Sequence, residues 1–266
     1  MGFPSGVSRR KKDGSWRFCV DYRRLNSITT KDVYPLPRIE EALARLEGSS
    51  YFSIMDLESG YWQVPIRPED KPKTAFITAD GLYQFKVMPF GLCSAPATFQ
   101  RMMDTVLAGY RWLFCMVYLD DIIVFSNTIE EHATRLRVVL GCLYQADLKV
   151  KLTKCAFAKT VLHALGHVVS RAGISPDPDK VRAVSEFPRP DDGTKSAQER
   201  LTLTRSFVGL CSYYRRFVKD FAGIARPLHE YINSGAKFPW NEEQTKSFDS
   251  LKNALAQAAT LSFPDQ

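Results

Sequence analysis

Four histidines and six cysteines in 266 residues leave little material for soft-metal or thiol chemistry. Cys19, Cys93, Cys115, Cys142, Cys155 and Cys211 are scattered, form no CxxC spacing and stand mostly in apolar runs. That pattern reads as reduced core thiols of an intracellular protein and excludes a disulfide framework. His163 and His167 have the i, i+4 spacing of a zinc pair, but Gly166 lies between them with no Glu or third ligand near, so ordinary histidines are the expectation. No Ser-His-Asp or Cys-His set competes for nucleophilic catalysis, and no GxxxxGK phosphate loop is present. The chain does not open on a charged start followed by an apolar stretch. No window approaches the ~20 apolar residues a membrane helix needs, so no membrane partner is expected. Internal repeats and low-complexity tracts are missing as well.

What is there is an ordinary folding composition. A hydrophobic content of 45% over this length suffices for one large core or two modest ones. The formal net charge of +7 favours a polyanionic partner without fixing which. The strongest change of character falls where Pro176, Pro178, Pro188 and Pro190 accumulate: strands and helices alternate before it, and helices dominate after it. Residues 16–22 and 51–55 read as strands, 64–66, 74–77 and 83–87 as short strands between turn residues, and 35–48 as a helix stopped by Gly48. Ser94 is placed to cap a helix entered through Pro96, and Thr128 with Glu131 to form a capping box for another.

Between residues 113 and 125 every residue is apolar or aromatic except Asp120 and Asp121, which therefore stand at the middle of a predicted β-hairpin. An Asp pair in a turn is ordinarily just solvated. Here the turn lacks Gly, Asn and Pro, and Leu119 and Ile122 crowd the acids with apolar bulk. Adjacent ionised carboxylates that are even partly desolvated repel one another unless a cation offsets them. Asp56 ends the predicted buried strand over 51–55 and converges on that pair if both strands lie in one antiparallel sheet. Three carboxylates without a histidine form a hard oxygen site suited to Mg²⁺ or Mn²⁺, and such a site fits phosphoryl transfer by two metal ions.

The block Tyr118-Leu119-Asp120-Asp121 resembles the signature of reverse transcriptases, with Asp56 as its upstream partner. Residues 11–26 resemble the family's fingers segment, and residues 88–100, from Met88-Pro89-Phe90-Gly91 to Phe99-Gln100, the segment beneath the incoming nucleotide. Leu165-Gly166-His167-Val168-Val169 stands where the family holds the primer end. Several blocks in the family order, over nearly the whole chain, make the resemblance specific. Phe90, Lys154-Cys155-Ala156-Phe157 and residues 207–217 look most like gypsy-type long-terminal-repeat retrotransposons; retroviral enzymes usually have Gln where Phe90 stands.

The resemblance implies an α+β right-hand polymerase. Fingers would occupy 1–30 and 64–94, a palm of antiparallel sheet packed on helices 31–63 and 95–172, and a helical thumb with the start of a connection 173–266. It implies two Mg²⁺ ions, or Mn²⁺, held by Asp56, Asp120, Asp121 and the Leu57 carbonyl. Lys11, Lys12, Arg17, Tyr61 and Phe90 would contact the nucleotide, with Tyr61 as the steric gate against a ribose 2′-hydroxyl. Tyr118, Gly166, His167, Gln100, Arg215 and Arg216 would contact primer or template. The partners would be an RNA or DNA template with its primer and deoxynucleoside triphosphates, inside the cell in cytoplasmic retrotransposon particles or the nucleus. Ribonuclease H and integrase are expected on the parent polyprotein, and neither of them nor a protease is expected in this chain. Compared with the family, part of the first fingers strand is missing or replaced by Met1 to Ser5, and the stretch 191–203 looks longer than the usual link. Beside a DNA polymerase stand a truncated, non-catalytic nucleic-acid-binding relic and a palm polymerase making RNA; Tyr61 and the Tyr-Leu-Asp-Asp form disfavour the last.

Overall fold

The computed structural model describes residues 6–10, 14, 16–191 and 193–258, which fall into two compact units, Met1–Thr160 and Val161–Gln266. The N-terminal unit opens with an antiparallel hairpin of β1 (Gly6–Arg10) and β2 (Trp16–Val20), in which Arg9 faces Arg17. Two short helices follow, α1 (Arg23–Ile28) and α2 (Ile39–Ala44). The second is shorter than the predicted 35–48 because Pro35 and Pro37 hold the chain ahead of it extended; turns then carry it to Gly48, whose φ of +72° stops it.

The chain continues through β3 (Tyr51–Asp56), a small separate hairpin of β4 (Phe76–Thr78) with β5 (Gly81–Tyr83), helix α3 (Ala95–Val106), β6 (Cys115–Tyr118), β7 (Asp121–Ser126), helix α4 (Ile129–Gln145) and β8 (Ala156–Lys159), and the centre of the unit is a four-stranded sheet of order β6-β7-β3-β8. All its pairings are antiparallel. β6 and β7 are apolar along nearly their whole length because α3 packs on β6 and α4 on β7 and β3. Met55, Phe99, Met103, Ile122 and Val139 form the middle of that core, none with measurable exposure.

Three local expectations shift. Residues 64–66 form no strand: Pro65 has no N–H to give, and only one isolated bridge joins it to Val87. The strand predicted from Thr74 starts at Phe76, behind a 3-10 turn over Lys71–Thr74, and that predicted over 83–87 is only Gly81–Tyr83. Ser94 does not cap α3 with its side chain; its Oγ accepts from the Asp32 N–H instead. Thr128 does accept from the Glu131 N–H, but the Glu131 carboxylate takes the N–H of Asn127.

His132, fully buried on α4, pins the sheet. Its Nδ1 lies 2.9 Å from Ser126 Oγ on β7 and its Nε2 2.7 Å from Ser53 Oγ on β3. Ser126 gives its own hydrogen to the Thr128 carbonyl, so Nδ1 must be the donor and Nε2 the acceptor, which is the neutral ring. Burial first, and the Arg135 charge second, hold the pKa below the ordinary 6.5. Below pH 6.5 the unfolded chain therefore binds a proton that the folded chain refuses, and stability falls as pH falls. Urea titrations at pH 7.5 and 5.5 are expected to show this loss, smaller in His132→Gln than in the native chain; an equal loss in both would contradict the assignment.

The C-terminal unit begins with a three-stranded antiparallel meander of β9 (Val161–Ala164), β10 (His167–Ser170) and β11 (Gly173–Pro176). Helices α5 (Pro178–Ser185), α6 (Ala197–Tyr213), α7 (Phe221–Asn233) and α8 (Glu242–Ala256) follow, around a core that includes Phe207, Leu228, Phe248 and Leu251. Much of the stretch 191–203 is helix, since Ser196 and Glu199 form a reciprocal capping box that opens α6. Among the described residues no helix is long and apolar enough to cross a membrane.

Candidate active site

Two neighbouring strands bring the predicted acids together. In the β3–β7 ladder Asp56 stands directly opposite Asp121, so both side chains leave the same face at the same end of the sheet. Asp120 is the next residue back, in the two-residue turn Leu119-Asp120 that joins β6 to β7. Burial, then the charges of Asp56 and Asp120, push the Asp121 carboxyl up to about 6. Lys154, 98 residues further along the chain from Asp56, places its Nζ 2.9 Å from Asp56 Oδ2 and supplies one counter-charge. Among the described residues no group of three or more His, Cys, Asp or Glu is arranged to hold a metal ion as it stands. The donor set itself is hard oxygen, and its crowding of like charge is of the kind a divalent cation relieves. Leu57, next after Asp56, is buried and bridges to Val150.

Beside the acids lies an aromatic platform. Tyr61, on a 3-10 turn over Gly60–Gln63, packs against Phe90 (ring centroids 5.2 Å apart) and edge-on against Phe99 (5.3 Å). Burial, with the charge of Asp120, pushes its phenol up to about 12, which keeps it neutral. Gly60 makes this approach feasible: a Cβ there would stand 3.0 Å from the Phe99 ring and 3.4 Å from Asp120 Oδ1. Phe90 is half-buried and has Trp62 on another side, at 5.9 Å.

The remaining predicted contacts divide. Lys11 and Lys12 lie outside the described residues, and of Arg17 only its place in β2 is described. Tyr118 is half-buried at the end of β6. Gln100, expected on the template side, has no exposed surface; its amide is spent on Leu119, Val117 and Asp104, which leaves no atom for a template. Helical periodicity places it on the apolar stripe of α3 one residue after Phe99, the one sign of burial that the sequence held.

In the C-terminal unit, Leu165 and Gly166 form the β9–β10 turn with φ of +50° and +67°. Tyr213 donates to the Leu165 carbonyl at 2.7 Å and Tyr214 to the Gly166 carbonyl at 2.8 Å, so a hydroxyl holds each carbonyl. His167 is buried, with Nδ1 on Leu165 O, while the register sets His163 on the opposite face of the hairpin, exposed. That separation removes the zinc geometry. Arg215 and Arg216 are exposed on the turn after α6. Sequence reading passed over Lys154 as a partner of Asp56 and the two tyrosines as holders of the turn, because each contact spans 48 or more residues.

An antiparallel sheet carrying facing acids on adjacent strands, with a third in the adjoining turn, is the frame of an α+β polymerase. A family model described as reverse transcriptase (RNA-dependent DNA polymerase) matches residues 9–169, and the chain belongs to this family. It is 42% identical over 260 residues to the retrovirus-related Pol polyprotein from transposon opus of Drosophila melanogaster, covering 94% of this chain and 25% of that protein. With the corresponding polyprotein from transposon gypsy, also of Drosophila melanogaster, it shares 40% over 261 residues, covering 94% and 24%. The chain thus spans about a quarter of the length of these relatives. Among solved structures, a foamy viral protease-reverse transcriptase in complex with double-stranded DNA superposes with a TM-score of 0.87 at 26% identity, covering 99% of this chain and 45% of that one. The foamy viral protein with an RNA/DNA hybrid gives 0.81 at 25% identity, covering 98% and 34%. The resemblance to gypsy-type Pol sequences and the α+β polymerase fold are both borne out.

Proposed function

We propose that this chain catalyses template-directed DNA synthesis from deoxynucleoside triphosphates on an RNA or DNA template, as the polymerase of a gypsy-type Pol polyprotein acting inside the cell, in cytoplasmic particles or the nucleus. The observation that carries the reading is the strand register that sets Asp56 opposite Asp121 with Asp120 adjoining. The foamy viral relatives hold duplex DNA or RNA/DNA hybrid, which supports a primer-template as the partner here. On this reading fingers span 1–30 and 64–94, palm 31–63 and 95–172, and thumb 173–266.

Asp56, Asp120, Asp121 and the carbonyl of Leu57 would hold two Mg²⁺ ions, with Mn²⁺ as substitute. When bound, such ions lower the pKa of the attacking primer hydroxyl and neutralise charge on the leaving pyrophosphate. Lys154 Nζ, now 2.9 Å from Asp56 Oδ2, would compete with a cation for that oxygen. Lys11, Lys12 and Arg17 neutralise the triphosphate, the last by its planar fork. Tyr61 packs against the sugar, with Phe90 behind it. Tyr118 and Gly166 would meet the primer end, with His167 contributing only from beneath the turn, where it is buried, and Arg215 and Arg216 would follow the nucleic-acid backbone.

The test is primer extension on RNA and DNA templates with Mg²⁺, comparing this chain with Asp120→Asn/Asp121→Asn. Extension by the native chain, lost by at least about a thousand-fold in the variant and on chelation of metal, is the expected result. No extension by either, with both folded and binding template, would instead favour a non-catalytic nucleic-acid-binding relic.

A further inference from the structure

The turn that carries Asp120 is held in an unfavourable backbone shape by a buried polar chain. Leu119, its first residue, has φ +54°, a left-handed conformation that costs a leucine about 1–2 kcal/mol. Glycine or asparagine would take that shape readily, and neither is present. The Leu119 N–H donates to Gln100 Oε1 at 3.2 Å. Gln100 Nε2 donates to the Val117 carbonyl at 3.2 Å and to Asp104 Oδ1 at 2.9 Å. An ionised carboxylate accepts and never donates, so Asp104 fixes which end of the amide faces Leu119. Asp104 is itself anchored: its other oxygen receives Arg111 Nη1 at 2.8 Å and the Tyr34 hydroxyl at 2.6 Å, and its side chain is only 7% exposed.

We propose that Gln100 and Asp104 are positioning residues for the polymerase reaction: Gln100, oriented by Asp104, holds Leu119 left-handed and thereby sets where the Asp120 carboxylate stands. Neither residue touches substrate. The inference rests on the catalytic reading of Asp120 and Asp121. The chain of contacts runs from half-buried Tyr34 through Asp104 and Gln100 to the turn. Without the amide, Leu119 relaxes toward an ordinary backbone and Asp120 swings with it, and misplacement of a reacting group by about 1 Å can cost a hundred-fold in rate.

The experiment is single-turnover nucleotide incorporation with primer-template affinity measured in parallel. In Gln100→Met, of similar volume and without the amide, the maximal rate is expected to fall on the order of ten-fold or more while primer-template affinity stays within about two-fold. Asp104→Asn is expected to fall in the same direction, and the double variant to be no slower than Gln100→Met alone, because Asp104 acts through Gln100. Glycine adopts the left-handed shape without strain, so Gln100→Met should lose less rate in a Leu119→Gly background than in the native one. If Gln100→Met does not fold, Asp104→Asn alone carries the same split of rate against affinity. A native maximal rate in Gln100→Met, multiplicative losses in the double variant, or an undiminished loss with Leu119→Gly would each overturn the proposal. Extension retained by Asp120→Asn/Asp121→Asn would sink the catalytic reading beneath it; loss there, with a native rate in Gln100→Met, would sink the positioning role alone.

Discussion

Asp121→Asn is expected to abolish DNA synthesis and, in the absence of metal at pH 8, to melt at a higher temperature than the native chain. The reason lies in the sign of the perturbation. Asp121 titrates near pH 6 in the folded chain, raised from an ordinary 3.8 chiefly by burial and then by Asp56 and Asp120. Between about pH 4 and 6 the folded state thus binds more protons than the unfolded, so stability falls as pH rises through that window, and the full destabilisation is present above it. Two pKa units correspond to roughly 3 kcal/mol, which partial solvent access reduces to about 2 kcal/mol. Asparagine keeps the shape and removes the charge. At about 2–4 °C per kcal/mol for a chain of this size, the variant should melt on the order of 5 °C higher with chelator at pH 8 and no higher at pH 4. Mg²⁺ should then stabilise the native chain more than the variant. Lower melting of Asp121→Asn at both pH values would refute the account. Lys154 already offsets part of the repulsion through Asp56, so Lys154→Met should lower the metal-free melting temperature at pH 8.

How much of this was legible in the sequence depends on the range over which each feature is specified. The acidic hairpin was readable because an unbroken apolar run makes two adjacent aspartates conspicuous, and Asp56 because its strand is apolar but for Ser53 up to the acid. Both are local patterns, and the antiparallel pairing that joins them was one of few ways to bury two such strands. The residues that hold the site were less visible. The place of Gln100 beside Phe99 on the apolar stripe of α3 hints at burial, but periodicity does not say which strand 17 to 19 residues later its amide would meet, so Gln100 reads as a surface contact and is an interior one. Lys154 lies in a polar stretch whose folding back onto Asp56 is set by the β3–β8 ladder. Pro65 is an instructive local miss: 64–66 reads as a short strand between turn residues, yet a residue without an N–H cannot carry a ladder.

The same division applies to discrimination between sugars, where replacing Tyr61 with valine is expected to admit ribonucleotides. The family resemblance proposes Tyr61 as the steric gate, but a gate works only if it cannot yield. Its ring is wedged between Phe90 and Phe99, and Gly60 leaves no free volume on the Phe99 side, where even a methyl group would meet the Phe99 ring at 3.0 Å. A 2′-hydroxyl pressed against this ring therefore meets a body that cannot turn aside without displacing two other rings, one of them fully buried. Valine removes most of the ring and leaves room for one oxygen. Steric exclusion of one small group is worth about 1–3 kcal/mol, so discrimination against a ribonucleoside triphosphate should fall about 10- to 200-fold in Tyr61→Val. Incorporation of the matching deoxynucleotide should change far less. Phe99→Leu, which loosens the wedge without touching the gate, should lower discrimination in the same direction by a smaller factor. Single-turnover incorporation of paired ribo- and deoxynucleotides measures both. Unchanged discrimination in Tyr61→Val would remove Tyr61 from the sugar site. A loss in Tyr61→Val with none in Phe99→Leu would keep the gate and show that its stiffness comes from Phe90 alone.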